Sequence, residues 1–133
     1  MHRAPADTVV PIGVVDSPIR SRADAPRQAG EGAPPSWLDI DPAYTAALDG
    51  IDPGAEIVVL TWLHLADRAT QTVHPRGDRR LPLTGVFATR SPDRPNSIGL
   101  HTVTVMQRQG CRLLVDALEA IDGTPILDLK IAI

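Results

Sequence analysis

Apolar positions along this chain fall in short runs, divided by stretches rich in proline, glycine, arginine and aspartate. Val9 to Val15 is rich in β-branched residues but holds Pro11 and Gly13, a pattern that predicts an edge or bulged strand. Asp16-Ser17-Pro18 then turns the chain, and residues 19–36 have no strand or helix periodicity. Asp39 to Gly50 reads as a short helix, with Asp41 as N-cap, Pro42 at the first helical position and Gly50 as the stop. Glu56 to Leu65 is apolar on both faces and predicts a central strand. Residues 66–80 form a second polar loop. Leu81 to Thr89 and Ser97 to Met106 read as strands around the loop 90–96. Arg112 to Leu118 and Ile126 to Ile133 complete the set, with a turn at Asp122-Gly123. About six to seven strands, one short helix and long loops make an all-β protein. With so few strands, closure into a small antiparallel β-barrel best removes exposed edges.

A chain of 133 residues is one domain's worth, taken here as 1–133 with residues 1–8 as a flexible tail. Ten glycines and thirteen prolines fit a loop-rich fold. Cys111 is the only cysteine, which excludes an intrachain disulfide and a multi-cysteine zinc site. The four histidines lack metal-ligand spacing, so no metal is expected. No run approaches the roughly twenty apolar residues of a membrane span, and no apolar export segment follows Met1. The expectation is a cytoplasmic protein with no membrane partner.

The net charge is −3, so no global positive field invites nucleic acid. Between residues 68 and 94, however, six arginines face two aspartates. Arg90-Ser-Pro-Asp-Arg-Pro-Asn96 is a loop whose prolines restrict the backbone and so present Arg90, Arg94 and Asn96 rigidly. A solvated turn with surface arginines is the plainer alternative. His64 closes the apolar strand and reads equally as a structural histidine. Pro26-Arg27-Gln28 alone reads as ordinary loop, and Asp122-Gly-Thr-Pro125 with Asp128 and Lys130 as a tight turn with an ion pair. Trp62 and Phe87 are expected in the core.

Taken in order, four blocks resemble the TsaA-like family, whose characterised type is the TrmO tRNA N6-adenosine methyltransferase. They are Ile12 to Pro18 with Pro26-Arg27-Gln28, Leu60-Thr-Trp-Leu-His64, Gly85 through Leu100, and Asp122 through Lys130. The resemblance spans about residues 9–130. It implies a small β-barrel, a homodimer, and S-adenosylmethionine as methyl donor in a fold unrelated to the Rossmann type. Carried over by motif, the cofactor contacts are Pro26, Arg27 and Gln28; His64 and Leu65; Arg90; Leu100; and Asp122, Gly123, Thr124 and Pro125. Asn96 or Asp128 would accept a hydrogen bond from the acceptor amine and orient its lone pair.

Family members of this type methylate threonylcarbamoyl-modified adenosine in tRNA. Here the family's Arg-Pro-Asn-Pro-Ile-Gly reads Arg94-Pro-Asn-Ser-Ile-Gly99, and the chain stops at Ile133 without the C-terminal domain of longer members. A tRNA partner would need Arg20, Arg22, Arg76, Arg79, Arg80 and Arg94 as a basic rim. Two other readings keep the cofactor site: methyl transfer to a small molecule, and a donor-binding module without turnover.

Overall fold

The structure, a computed structural model, describes residues 7–24 and 32–133. The expected contacts Pro26, Arg27 and Gln28 lie outside the described residues. Six strands pair antiparallel into a closed barrel: β1 (Gly13–Asp16), β2 (Ser36–Ile40), β3 (Glu56–Trp62), β6 (Ile98–Gln109), β7 (Arg112–Val115) and β8 (Pro125–Ile131). Their order around the wall is β1-β2-β7-β6-β3-β8, and β8 returns to β1. A separate two-stranded sheet, β4 (Thr72–Val73) with β5 (Thr84–Gly85), stands apart from the barrel.

Period-2 alternation decides which side chains enter. On β3, Ile57, Val59 and Thr61 face the interior, and on β6 Gly99, His101, Val103 and Val105 do so. Leu38, Ile40, Leu113, Val115 and Ile126 fill the rest of the core. A register shift between Leu60 and Thr61 places Leu60 opposite Asp128 but Thr61 opposite Ile126, so Leu127 is the extra residue of a bulge. Leu118 and Ala120, from the β7–β8 connection, are buried and seal one end of the barrel.

Several expected elements are smaller or displaced. The first strand starts only at Gly13, after Pro11 has withheld its N–H from the ladder. β2 lies where the 19–36 loop and the helix were expected to meet. Its alternation Ser36-Trp-Leu-Asp-Ile40 is short and hemmed by Pro34-Pro35 and Pro42, which masks it in sequence. The helical segment is wound as 3₁₀ over Pro42–Leu48 and breaks at Tyr44. Asp41 does cap it, accepting a hydrogen bond from the Ala43 N–H. The expected strand Leu81 to Thr89 keeps only β5, followed by a 3₁₀ turn at Val86–Ala88. Phe87, expected in the core, is 81% exposed, because that turn rotates Val86 inward instead. Trp62 is half-buried on the outer wall. Among the described residues no helix is long and apolar enough to cross a membrane.

Two glycines test the closeness of the wall. A Cβ on Gly13 would strike the Asp39 carbonyl oxygen across the β1–β2 pair, whereas one on Gly85 would meet nothing within 4 Å. Backbone cannot yield as a flexible side chain can. Gly13→Ala is therefore expected to cost about 1–3 kcal/mol in urea unfolding, and Gly85→Ala to stay within about 0.5 kcal/mol of the parent.

Candidate functional site

In a closed antiparallel barrel, alternate connections open at the same end. The connections that follow β1, β3 and β7 all leave one end, and the connections 41–55 and 110–111 occupy the other. The loop-bearing end thus gathers the described candidates His64, Leu65, Arg90, Asn96 and Asp122 to Pro125.

Ion pairs and caps tie these connections together. Arg22 donates to the Asp93 carboxylate at 3.1 Å and reaches the Leu65 carbonyl at 3.5 Å. The other Asp93 oxygen accepts from the Asp67 N–H at 2.8 Å. One aspartate thereby ties the loop after β1 to two parts of the connection between β3 and β6. The turn at Asp122 is fixed in the same way: its carboxylate accepts from the Ser17 N–H at 3.0 Å and from Arg20 at 2.7 Å. Gly123 takes a φ of 82°, which suits glycine, and the buried Thr124 donates its hydroxyl to the Ile121 carbonyl at 2.6 Å. Asp122 and Thr124 therefore build the turn. Gly123 and Pro125 are the parts of it that face outward.

The arginines of the 90–96 loop divide their roles. Arg94 donates to the carbonyls of Thr89 and Ser91, both at 3.1 Å, and so spends its guanidinium on the loop itself. Arg90 is exposed and makes no hydrogen bond or ion pair among the described residues. Arg68 was not singled out in sequence, yet it organises the neighbourhood. It lies over the Trp62 ring, 5.0 Å from the centroid, and donates to the Pro95 carbonyl at 2.8 Å. A longer contact, 3.4 Å, reaches the Asn96 side-chain oxygen. Only the contact between β3 and the loop reveals it; an arginine in a polar stretch carries no mark of its partner.

A hollow of about 490 Å³ opens on the outer wall beside this loop. Val9, Pro11, Trp62, Ile98, Pro125 and Leu127 line it, with Asn96 as its polar member. Its size lies within the range of about 300–1,000 Å³ found for small-molecule sites, and its mostly apolar lining with a few polar groups is typical of them. Leu100, half-exposed, stands beside Leu60, which in turn pairs with Asp128. Asp128 is engaged locally, with Lys130 at 3.1 Å and with the Leu129 N–H at 2.9 Å. A second hollow, about 390 Å³, lies between residues 11–14 and 39–42 and holds none of the candidates.

The basic rim is partly neutralised from within. Arg20, Arg22 and Arg80 each pair with an aspartate, and Arg94 is bound to backbone. At Asp78 the Arg80 fork holds the carboxyl below its ordinary value, and the same bond pushes Arg80 up. Arg79 joins Arg90 in having no partner among the described residues.

Residues 14–132 match the tRNA-methyltransferase O N-terminal domain family. A probable S-adenosyl-L-methionine-binding protein of Methanothermobacter thermautotrophicus is 45% identical over 120 residues, covering 90% of this chain and 85% of that protein. An S-adenosyl-L-methionine-binding protein of Archaeoglobus fulgidus is 42% identical over 120 residues, with the same coverage of 90% and 85%. A crystal structure of TrmO from Pseudomonas aeruginosa superposes with a TM-score of 0.72 at 27% identity, and covers 97% of this chain. This chain spans 57% of the length of that one.

Two measurements check the geometry. Losing the charged hydrogen bond from Arg68 should speed amide exchange across residues 94–97 about tenfold in Arg68→Ala. Arg68→Lys should not restore it, since an ammonium lacks the planar fork and the stacking surface. In a carboxyl NMR titration Asp78 should titrate below the usual aspartate value, so the pair with Arg80 survives as pH falls through the ordinary carboxylate range. In Arg80→Ala the Asp78 midpoint should rise toward that value, the backbone N–H of residue 80 and His74 still holding it part of the way down.

Proposed function

Because the chain belongs to the tRNA-methyltransferase O N-terminal domain family, we propose that it binds S-adenosylmethionine at the loop-bearing end of the barrel and transfers the methyl group to N6-modified adenosine in tRNA, in the cytoplasm. The observation that carries this reading is convergence. Residues scattered from 64 to 125 meet at one end, beside an apolar hollow edged by Asn96, with the Arg90 guanidinium in the adjoining loop unpaired among the described residues.

The residues present fit such a donor. Its nucleoside would take the apolar lining of Trp62, Ile98, Pro125 and Leu127, and the exposed Arg90 fork suits a carboxylate such as that of a methionyl group. S-adenosylmethionine supplies a methyl group on a positively charged sulfur, open to in-line attack by an amine. The chain's share is positioning and exclusion of water, which account for much of the rate in such transfers. Asn96 lines the hollow and can accept a hydrogen bond from the acceptor nitrogen, orienting its lone pair. Asp128 is the weaker candidate, since it does not line the hollow and its carboxylate already meets Lys130 and the Leu129 N–H.

A second copy of the chain is the proposed cover for the outer wall. Ile98 and Leu100 are each about half-exposed there, beside half-buried Leu60, Trp62 and Leu127. Contiguous apolar surface of this kind marks an association site. The pairing of Arg20, Arg22 and Arg80 with aspartates favours a second reading, in which the donor is bound but the acceptor is not tRNA: fewer cations remain for phosphates.

Titration calorimetry with S-adenosylmethionine tests the donor site. Wild type should bind, and Arg90→Ala should bind at least about tenfold more weakly, the scale of one lost charged hydrogen bond. No heat from the wild type overturns the reading. Asn96→Ala should lower kcat about tenfold or more while leaving donor affinity within about twofold; near-normal turnover removes Asn96 from the reaction. Salt-dependent tRNA binding, absent in the second reading, separates the two acceptors.

A further inference from the structure

The interior of the barrel is polar at one end only. Among the described residues the buried polar side chains are Ser17, Ser36, Thr61, Ser97, His101 and Thr124, and the strand order puts all six at the loop-bearing end. His101 is the most demanding of them. It points inward from β6, is 5% exposed, and hydrogen-bonds on both ring nitrogens. Nε2 meets the Thr61 hydroxyl at 2.8 Å, and Nδ1 meets the Glu119 carboxylate at 2.7 Å. An ionised carboxylate only accepts, so Nδ1–H is the donor there. The other Glu119 oxygen is buried without a partner.

This chain of bonds joins elements that are far apart in sequence. Thr61 is the residue at which β3 shifts register, one position before Trp62 and three before His64. His101 follows Leu100 directly. Glu119 sits between the buried plugs Leu118 and Ala120, three residues before Asp122. Gly99 completes the arrangement, because a Cβ there would collide with both the Thr61 hydroxyl and the His101 ring. None of these residues lines the hollow, and Thr61 is fully buried. Apolar residues of similar volume would fill the space without leaving a carboxylate oxygen unsatisfied. What the polar chain adds is directionality, since a hydrogen bond fixes a position that packing alone leaves free to slide.

We propose that His101 is the positioning residue of the donor site: through Thr61 and Glu119 it locks the β3–β8 bulge, Leu100 and the 119–125 turn into one arrangement. The proposal rests on the donor-binding reading for its functional consequence, but its structural core stands apart from it. Replacing His101 itself strands a buried carboxylate and risks unfolding, so the chain is better cut at its ends. Thr61→Val removes one bond at nearly constant shape, and Glu119→Leu removes the other. Glu119→Gln keeps an acceptor for Nδ1–H and serves as the conservative rescue. Leu113→Ala weakens the core near the opposite end of the barrel and controls for general loss of stability.

Two readouts apply to every variant: amide exchange of residues 62–65 and 119–124 in the free protein, and calorimetric affinity for S-adenosylmethionine. Thr61→Val and Glu119→Leu should each speed exchange about tenfold in both stretches, including the one remote from the substitution, and weaken the donor about tenfold. Glu119→Gln should stay within about threefold of wild type on both, and Leu113→Ala should lower Tm with neither change. The proposal is overturned if each substitution loosens only its own neighbourhood, or if Leu113→Ala weakens the donor as much. A wild type that fails to bind the donor sinks the proposed function, while the exchange data still decide the role of His101.

Discussion

Two residue pairs, Gly13 with Ile126 and Val14 with Pro125, turn the six-stranded sheet into a closed barrel. Backbone bonds from Ile12 to Ile126, from Val15 to Thr124 and from Gly123 to Val15, each at 2.8–2.9 Å, reinforce this short seam. Without it β1 and β8 would be edges, and the sheet would offer unpaired N–H and C=O groups. With it, the strand directions are fixed, and so is the end from which each connection leaves. The site follows from that constraint: the motif-bearing loops share an end because closure leaves them no other. Gly13 makes the seam feasible, since its missing side chain lets β1 lie against the β2 backbone on one side while β8 pairs on the other.

The two ends of the barrel are built on different physics. Away from the loops the interior is aliphatic, with Leu38, Ile40, Ile57, Leu113 and Val105 excluding water and tolerating small adjustments. At the loop end, hydroxyls, an imidazole and a carboxylate replace aliphatic groups. Burying them costs desolvation that hydrogen bonds must offset, and the Glu119 oxygen and Ser36 hydroxyl are left without partners. Such a departure from an all-apolar core is expected where defined placement matters more than stability.

The strands of the barrel wall were legible where the apolar pattern ran long. Glu56 to Leu65, read as a central strand from its continuous apolar run, and Ser97 to Met106 came close to their true limits, Glu56–Trp62 and Ile98–Gln109. β2 was hidden because its five residues carry Trp37 and Asp39 outward and border prolines on both sides. Phe87 misled because an isolated aromatic in an apolar run reads as core, whereas a 3₁₀ turn gives its place to Val86. The loop Arg90 to Asn96 announced itself by composition, but Arg68, which braces it, did not. His101 was passed over for want of metal spacing, and Glu119 lay inside an ordinary stretch; only the fold brings the pair to 2.7 Å.

Charge illustrates the same limit. Counted along the chain, residues 68–94 carry an excess of arginine that suggests a surface for phosphates. In space that excess is met in other ways: Asp78 takes Arg80, Arg68 and Arg94 turn to backbone carbonyls, and Asp93 and Asp122 instead take Arg22 and Arg20 from the loop after β1. An exposed ion pair contributes little to stability, but each withdraws a cation from long-range attraction. Several arginines here therefore serve as fasteners between loops rather than as a field for a polyanion. Arg79 and Arg90, on either side of the exposed Leu81, Leu83 and Phe87, stay outside that scheme. A ligand that meets this end of the barrel encounters a few directed guanidinium groups beside apolar surface. That environment selects by shape and local hydrogen bonding first, and by total charge only second.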